Sequence, residues 1–410
     1  MAEGVKSQER AALWLIPACL AVLLLVFGLL FGYRLSGSTK PVVKIGLVAP
    51  FEGLYRPLGY KVLYGVKLAL RDVNRAGGIE GYMVELVALD DGNDPAEAAR
   101  QAQEMALDPD VVGVIGHLND AATMAAAPLY HRHGLVMITP AAARGEIVVN
   151  GWNEIYRLWA DGQGLGIAAA EYAVTGLGAR RLAVVEGGGE SSQAFRQRAQ
   201  EMGAEVVADL EAGEPHLVKT LAKAQPDLIF FDGGSVAGGK FLVRAREGKL
   251  PGLFLGTSTW SEEHLLRLAG AAAEGVFYVA PGPSPEAWAQ FAQSYRALAN
   301  QEPSLYAVAA YDATNILVKA IGLSVLGEGR PTRQGVLAAM KEVEPYQGVM
   351  GQVEFDGRGQ WLVPTLHLYH IVGGRLPGEI RSGRKSGRLA PALHMVGERV
   401  RQCGVFWSEP

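Results

Sequence analysis

The residues able to hold a small molecule fall at the ends of apolar runs. Phe51, Glu52 and Tyr55 follow VVKIGLVAP (42–50); His117, Asn119 and Asp120 follow VVGVIG (111–116). Ala141 and Ala142 come just after LVMIT (135–139), and Glu186 closes RRLAVVE (180–186), with Ser191 just beyond. Asp232 and Ser235 lie at the end of DLIFFDGG (227–234), and Ser258 and Trp260 follow LFLG (253–256). Such a set holds a solute and does not turn it over, because no nucleophile stands beside a base. Its charged members, Glu52, Asp120, Glu186 and Asp232, are all acids. That composition disfavours a strongly anionic solute, with Arg56 and Arg144 the nearest cations able to swing in. Tyr55 and Trp260 are placed to sandwich an apolar or planar ligand part, since aromatic rings supply area and shape.

Catalytic and metal signatures fail on inspection. Gly162-Gln163-Gly164-Leu165-Gly166 approaches a dinucleotide loop, but the third glycine would fall at Ile167. It reads as a Gly-rich helix start instead. Gly233-Gly234-Ser235-Val236-Ala237 misses the last glycine of a nucleophile elbow. His131 and His133 lie on different faces of an expected helix, and His367 and His370 on opposite faces of an expected strand. No metal site and no cofactor are expected. His117 either lines a cleft or packs as a structural histidine. The net charge of −4 gives no basic field for nucleic acid. The two cysteines, Cys19 and Cys403, leave the body between them without a disulfide framework.

The elements that must position these residues alternate. VVKIGLVAP, MVELVALDD (83–91), VVGVIG, LVMIT, RRLAVVE, DLIFFDGG, LFLG and GVFYVA (275–280) read as buried strands with helical stretches between them. The first helix carries Val62, Val66, Ala69 and Val73 at helical spacing and stops at Gly77-Gly78. Asp94, Pro95 and Glu97 form a capping-box start for the next. Near-continuous apolar strands separated by helices predict parallel sheets covered on both faces. Composition breaks at 157–163 and 280–285 predict two Rossmann-like α/β lobes, 42–157 with 283–345 and 158–282 with 346–375.

Ahead of the body, residues 1–10 read as a cytoplasmic N-terminus and 33–41 as a linker. Residues 11–32 run for 22 positions without a charge. At ~1.5 Å per residue that spans a hydrocarbon core of roughly 30 Å. A cleaved signal has a shorter apolar region ending in a small-residue site, which is missing here. An uncleaved membrane anchor is expected, and 376–410 reads as a loose basic tail.

Taken in order, KIGLVAP (44–50), DVNRAGGIEGYMVELVALDDGNDPAEA (72–98), VVGVIGHLNDAAT (111–123), VMITPAA (136–142), AAYDATNIL (309–317) and GVMGQVEFDGRGQ (348–360) resemble the branched-chain amino-acid type of periplasmic binding protein. The resemblance implies a type I fold, two lobes joined by three crossovers. It also implies capture of a small polar solute, such as an amino acid or amide, for an ABC importer. The partners would be a permease and an ATPase, and the site extracytoplasmic, in the periplasm or on the outer face of the cell membrane. A membrane-anchored sensing receptor without transport is the alternative. In such proteins hydroxyl residues after the strand matching VVGVIG hold the ligand carboxylate, whereas this chain has Asn119, Asp120, Ala121 and Ala122 before Thr123. Ala143 and Ser258 stand where those proteins carry a hydroxyl and an acid, and Ser191 where they carry an aromatic. Asp120 would repel a ligand carboxylate and suits a cation or hydroxyls; its other reading is a helix cap.

Overall fold

The computed structural model describes residues 20–27, 40–186, 188–343 and 345–376. Residues 1–41 and 42–410 form separate units. In the first, 20–27 is helical and its apolar side chains are exposed. The remainder of the expected 11–32 anchor lies outside the described residues, as do most of the linker and the tail beyond Leu376.

The body is built on two sheets. In the first, β1 (Val42–Ala49), β2 (Met83–Asp90), β3 (Val111–Ile115), β4 (Val136–Thr139) and β5 (Ile155–Arg157) run parallel in the order β2-β1-β3-β4-β5. The second contains β6 (Arg181–Val185), β7 (Glu205–Leu210), β8 (Leu228–Phe231), β9 (Leu253–Gly256), β10 (Phe277–Pro281) and β13 (Leu366–His370). Its order is β13-β10-β9-β8-β6-β7, parallel except that β13 runs against β10. Strands β3, β4 and β8 are buried at every position. Each sheet is thus a core layer covered on both faces by helices.

Helix α1 (Arg56–Arg75) packs along the first sheet, and α2 (Pro95–Leu107) and α3 (Asp120–Arg132) follow β2 and β3. Asp94 caps α2 by accepting from Ala96 and Glu97 N–H at 2.9 Å each. The reciprocal half of the expected capping box is not formed, because the Glu97 carboxylate turns to Arg100 and Gln101 instead. α4 (Gly162–Glu171) begins at the glycine-rich segment, with Asp161 accepting from Gly164 N–H at 2.7 Å, which accounts for those glycines as a helix start. In the second lobe α5 (Glu190–Glu201), α6 (Leu217–Ala224), α7 (Ser235–Glu247) and α8 (Glu263–Ala269) cover the sheet.

The chain then returns to the first sheet with α9 (Pro285–Ala299), α10 (Leu305–Glu328) and α11 (Arg333–Ala339). α10 has the length and hydropathy of a membrane span, but most of its residues are buried and it serves as the core helix of the first lobe. It crosses α1 so closely that a Cβ on Gly65 would lie 2.3 Å from the Ala307 carbonyl oxygen. Gly65→Ala must therefore push two helix backbones apart. The expected loss is about 2 kcal/mol, the middle of the range for overpacking, read by urea denaturation; an unchanged midpoint would show that the crossing gives way freely.

A hairpin of β11 (Tyr346–Gly348) and β12 (Gly351–Val353) is pinned to α10 by Asp312, which accepts from Val349 N–H (2.9 Å) and Met350 N–H (2.7 Å). The chain joins the second sheet only at β13. The expected lobe boundary between 345 and 346 falls just ahead of this hairpin, which Asp312 holds to α10.

Candidate functional site

The loops after β1 and β4 meet the segments after β9 and β6, where both sheets present the carboxyl ends of their strands. This is where open α/β sheets bind ligands. Contacts bridge the two surfaces. The Gly145 N–H donates to Glu190 Oε2 at 3.3 Å. Trp159, on the crossover after β5, stacks on Tyr306 at 4.8 Å; its Nε1–H donates to Ser258 Oγ (3.3 Å) and the Tyr306 hydroxyl to the Ser258 carbonyl (3.2 Å). Lys61 pairs with Glu263, His264 Nε2 bonds the Leu54 carbonyl, and the Tyr55 ring lies 4.8 Å from the His264 ring. A recess opens beside this last group, lined by Leu58, Lys61, Glu262, His264, Ser304 and Tyr306.

Several of the sequence-derived residues reach this region. Tyr55 stands at the N-cap position of α1 without a side-chain capping bond, and Glu52 is exposed nearby. Phe51 is half-buried and anchored through its N–H to Asp90 Oδ1 at 2.6 Å. Asn119, not Asp120, is the N-cap of α3, accepting from Ala122 N–H at 2.8 Å. Asp120 reaches sideways instead, its Oδ1 accepting from Ala143 N–H (2.7 Å) and Arg144 N–H (3.0 Å). Ala141 is half-buried next to this loop. In the second lobe Glu186 turns the chain in a left-handed conformation (φ 65°). Asp232 accepts from the Ser191 hydroxyl and from Ser192 Oγ (2.7 Å) and N–H (2.9 Å). Burial raises its carboxyl above the ordinary range, and the two serines pull it back. Ser235 donates to Glu262 Oε2 at 2.5 Å.

Three expectations are corrected. His117 does not line the cleft: it is 0% exposed, with Nδ1 on Asp91 Oδ2 (2.7 Å) and Nε2 on the Tyr130 hydroxyl (3.2 Å). Ala142 is buried in the core of the first lobe. Trp260 is also 0% exposed; its indole packs on Phe231 and fills space left by Gly238 and Gly256, where a Cβ would lie 2.5 and 2.2 Å from its ring atoms. The Tyr55–Trp260 sandwich therefore does not form, and the ring opposite Tyr55 is His264.

The residues that bridge the cleft and escaped the sequence are Trp159, Tyr306, Glu190, Lys61 and the Glu262–His264 run. Glu262–His264 lies only two residues beyond Trp260. Its charges at the start of a short helix after β9 were the available signal. The Glu262 carboxylate holds the His264 imidazole above its ordinary pKa, and the Leu54 carbonyl adds to this.

Two α/β lobes facing each other across strand ends, bridged by direct contacts, define a two-lobed solute-binding architecture. The chain belongs to the periplasmic binding protein family, whose model matches residues 42–375. It is a type I binding protein of the branched-chain amino-acid kind and not an enzyme. It is 26% identical over 344 residues to the leucine-, isoleucine-, valine-, threonine- and alanine-binding protein of Pseudomonas aeruginosa, covering 80% of this chain and 89% of that one. The ABC transporter substrate-binding protein from Desulfitobacterium hafniense in complex with Leu superposes with a TM-score of 0.72 at 26% identity, over 82% of this chain and 98% of that one. The branched-chain amino acid transporter substrate-binding protein from Streptococcus pneumoniae in complex with isoleucine gives 0.73 at 23% identity over 82% and 98%, a likeness of fold.

Proposed function

We propose that this chain captures a small polar solute, such as an amino acid, amide or related compound, outside the cytoplasm for an ABC importer. The apolar run at 11–32 would hold it at the membrane. The observation that carries the reading is the cleft itself: two strand-end surfaces rich in carboxylates, closed on one another by lobe-to-lobe contacts. Relatives that bind leucine and isoleucine support the transport role. The acids Asp120, Glu190, Asp232 and Glu262 favour a neutral or cationic solute over a strongly anionic one, since a second negative charge nearby disfavours an anion.

The test is a thermal-shift panel on the full-length protein with leucine, glutamine, leucinamide, putrescine and benzoate. A ligand at a hundred times its dissociation constant adds about 2.7 kcal/mol of stability. Neutral and cationic members should shift the transition most. A body that is folded by circular dichroism yet answers to none of the panel would count against solute capture.

A further inference from the structure

Three successive backbone N–H groups in the loop between β4 and β5 point at carboxylates. Ala143 and Arg144 both donate to Asp120 Oδ1, at 2.7 and 3.0 Å, and Gly145 donates to Glu190 Oε2 at 3.3 Å. Consecutive N–H groups aimed at one concavity make an anion receptor. Behind the loop lies a fixed positive charge: Arg157 is 1% exposed, and its Nη1 donates to the carbonyls of Ala143 and Arg144. The guanidinium thus turns the carbonyls inward and the amides toward the cleft. Both anions that fill this receptor belong to the protein, one from each lobe. Glycine at 145 and 162 makes room for the second: a Cβ there would lie 2.8 Å from Glu190 Oε1 and 3.0 Å from Glu190 Cβ.

We propose that Asp120 is a specificity-determining residue, a built-in anion that occupies the 143 and 144 amides and excludes solutes bearing a carboxylate at this point. Glu190 completes the receptor from the opposite lobe as the cleft closes. A solute carboxylate would have to displace a tethered one that already accepts from two amides, and would meet Glu190 as well. An amide, alcohol or amine meets no such competitor and can donate to the free oxygens of the same carboxylates. The inference rests on solute capture in this cleft and adds the chemical class that the cleft selects.

The test compares L-leucine with L-leucinamide, which share a side chain and an amino group and differ in the carboxylate. Isothermal titration of the full-length protein should favour leucinamide. Asp120→Ser, which frees the amides, should move the affinity ratio at least 10-fold toward leucine. Asp120→Asn keeps one acceptor oxygen without the charge and should fall between the two. A ratio unchanged in both variants, or a wild-type preference for leucine, overturns the proposal. A second arm needs no solute. Asp120→Ala should lose thermal stability and regain it on addition of acetate, while wild type and Asp232→Ala stay unresponsive. Failure of acetate to rescue overturns the built-in anion. If neither leucine nor leucinamide binds wild type, solute capture is the reading in trouble, and the acetate arm still decides the role of Asp120.

Discussion

Arg157→Met should unfold the body at clearly lower urea, with a loss of about 3–5 kcal/mol, the range for removing one partner of a buried charged network. Arg157 ends β5 where the chain leaves the first lobe, and its side chain is 1% exposed. Its guanidinium serves three segments at once: the carbonyls of Ala143 and Arg144, the side chain of Gln360, and Asp161 at 3.9 Å. Its own backbone pairs with the turn that follows the hairpin, Arg157 N–H donating to the Gly359 carbonyl at 2.8 Å. Burial pulls the guanidinium below its ordinary pKa, and Asp161, Asp120, Glu190 and Asp356 support the charge. Methionine fills much of the same volume, so the loss reports stranded carbonyls and acids more than a cavity. Arg157→Lys restores the charge without the planar fork and should recover less than half of the loss. A Met variant within 1 kcal/mol of wild type would show that water or local movement satisfies these groups.

Most of the fold is legible in the sequence because it is written in apolar periodicity. The runs that become β1, β3, β4, β6, β8 and β9 are nearly continuous in Val, Ile, Leu and Phe, as strands buried on both faces must be. Strands β5 and β7 are harder. β5 is three residues long and ends in a buried arginine, so IYRLWAD reads as a break between lobes. β7 lies at the edge of its sheet, no residue in it is fully buried, and EVVADL lacks the density of a core run. The hairpin at 346–353 is silent for another reason. What fixes it is a single buried carboxylate, Asp312, on a helix far away in sequence, and periodicity carries no information about such a partner.

The site is less legible than the fold. Strand ends mark where loops converge, and that rule brings Tyr55, Asp120, Ser191, Asp232 and Ser258 to the cleft side of their lobes. It does not say which side chain turns outward. His117 and Trp260 follow strands as closely as Asp120 does, but His117 finds two polar partners inside its lobe, and Trp260 finds two glycines to lie on. The groups that meet across the cleft come from helix starts and crossovers: Lys61, Trp159, Glu190, His264 and Tyr306. Their roles depend on how the lobes face one another, which is a property of hinge geometry and not of any local pattern.

Asp312 should make stability depend on pH in the direction opposite to most carboxylates. It is 0% exposed in α10, and burial raises its pKa to about 7, against the two backbone N–H donors of Val349 and Met350 that favour the charged form. The native state therefore holds the Asp312 proton more tightly than the unfolded chain, whose carboxyl titrates near 3.8. Its contribution is full below that lower value and is lost as pH rises through about 7. At 1.36 kcal/mol per unit the full change, from below 3.8 to above 7, is on the order of 4 kcal/mol. Surface acids run the other way. Lys44 lowers Asp108, and the Gly373 and Gly374 amides lower Glu274, so those groups lose stability as pH falls. Asp312→Asn separates the two effects, because the surface terms are common to both proteins and cancel in the difference. Asparagine keeps one carbonyl oxygen for the hairpin but turns an NH2 toward the second amide donor. The variant should be less stable than wild type at pH 4 to 5. The gap should then narrow by on the order of 3 kcal/mol by pH 8, as wild type alone comes to bear a buried charge. Urea midpoints across that range supply the measurement. A difference that stays flat with pH would mean that the hairpin amides hold Asp312 ionised throughout, and that its carboxylate fastens the hairpin to α10 as a charge and not as an acid.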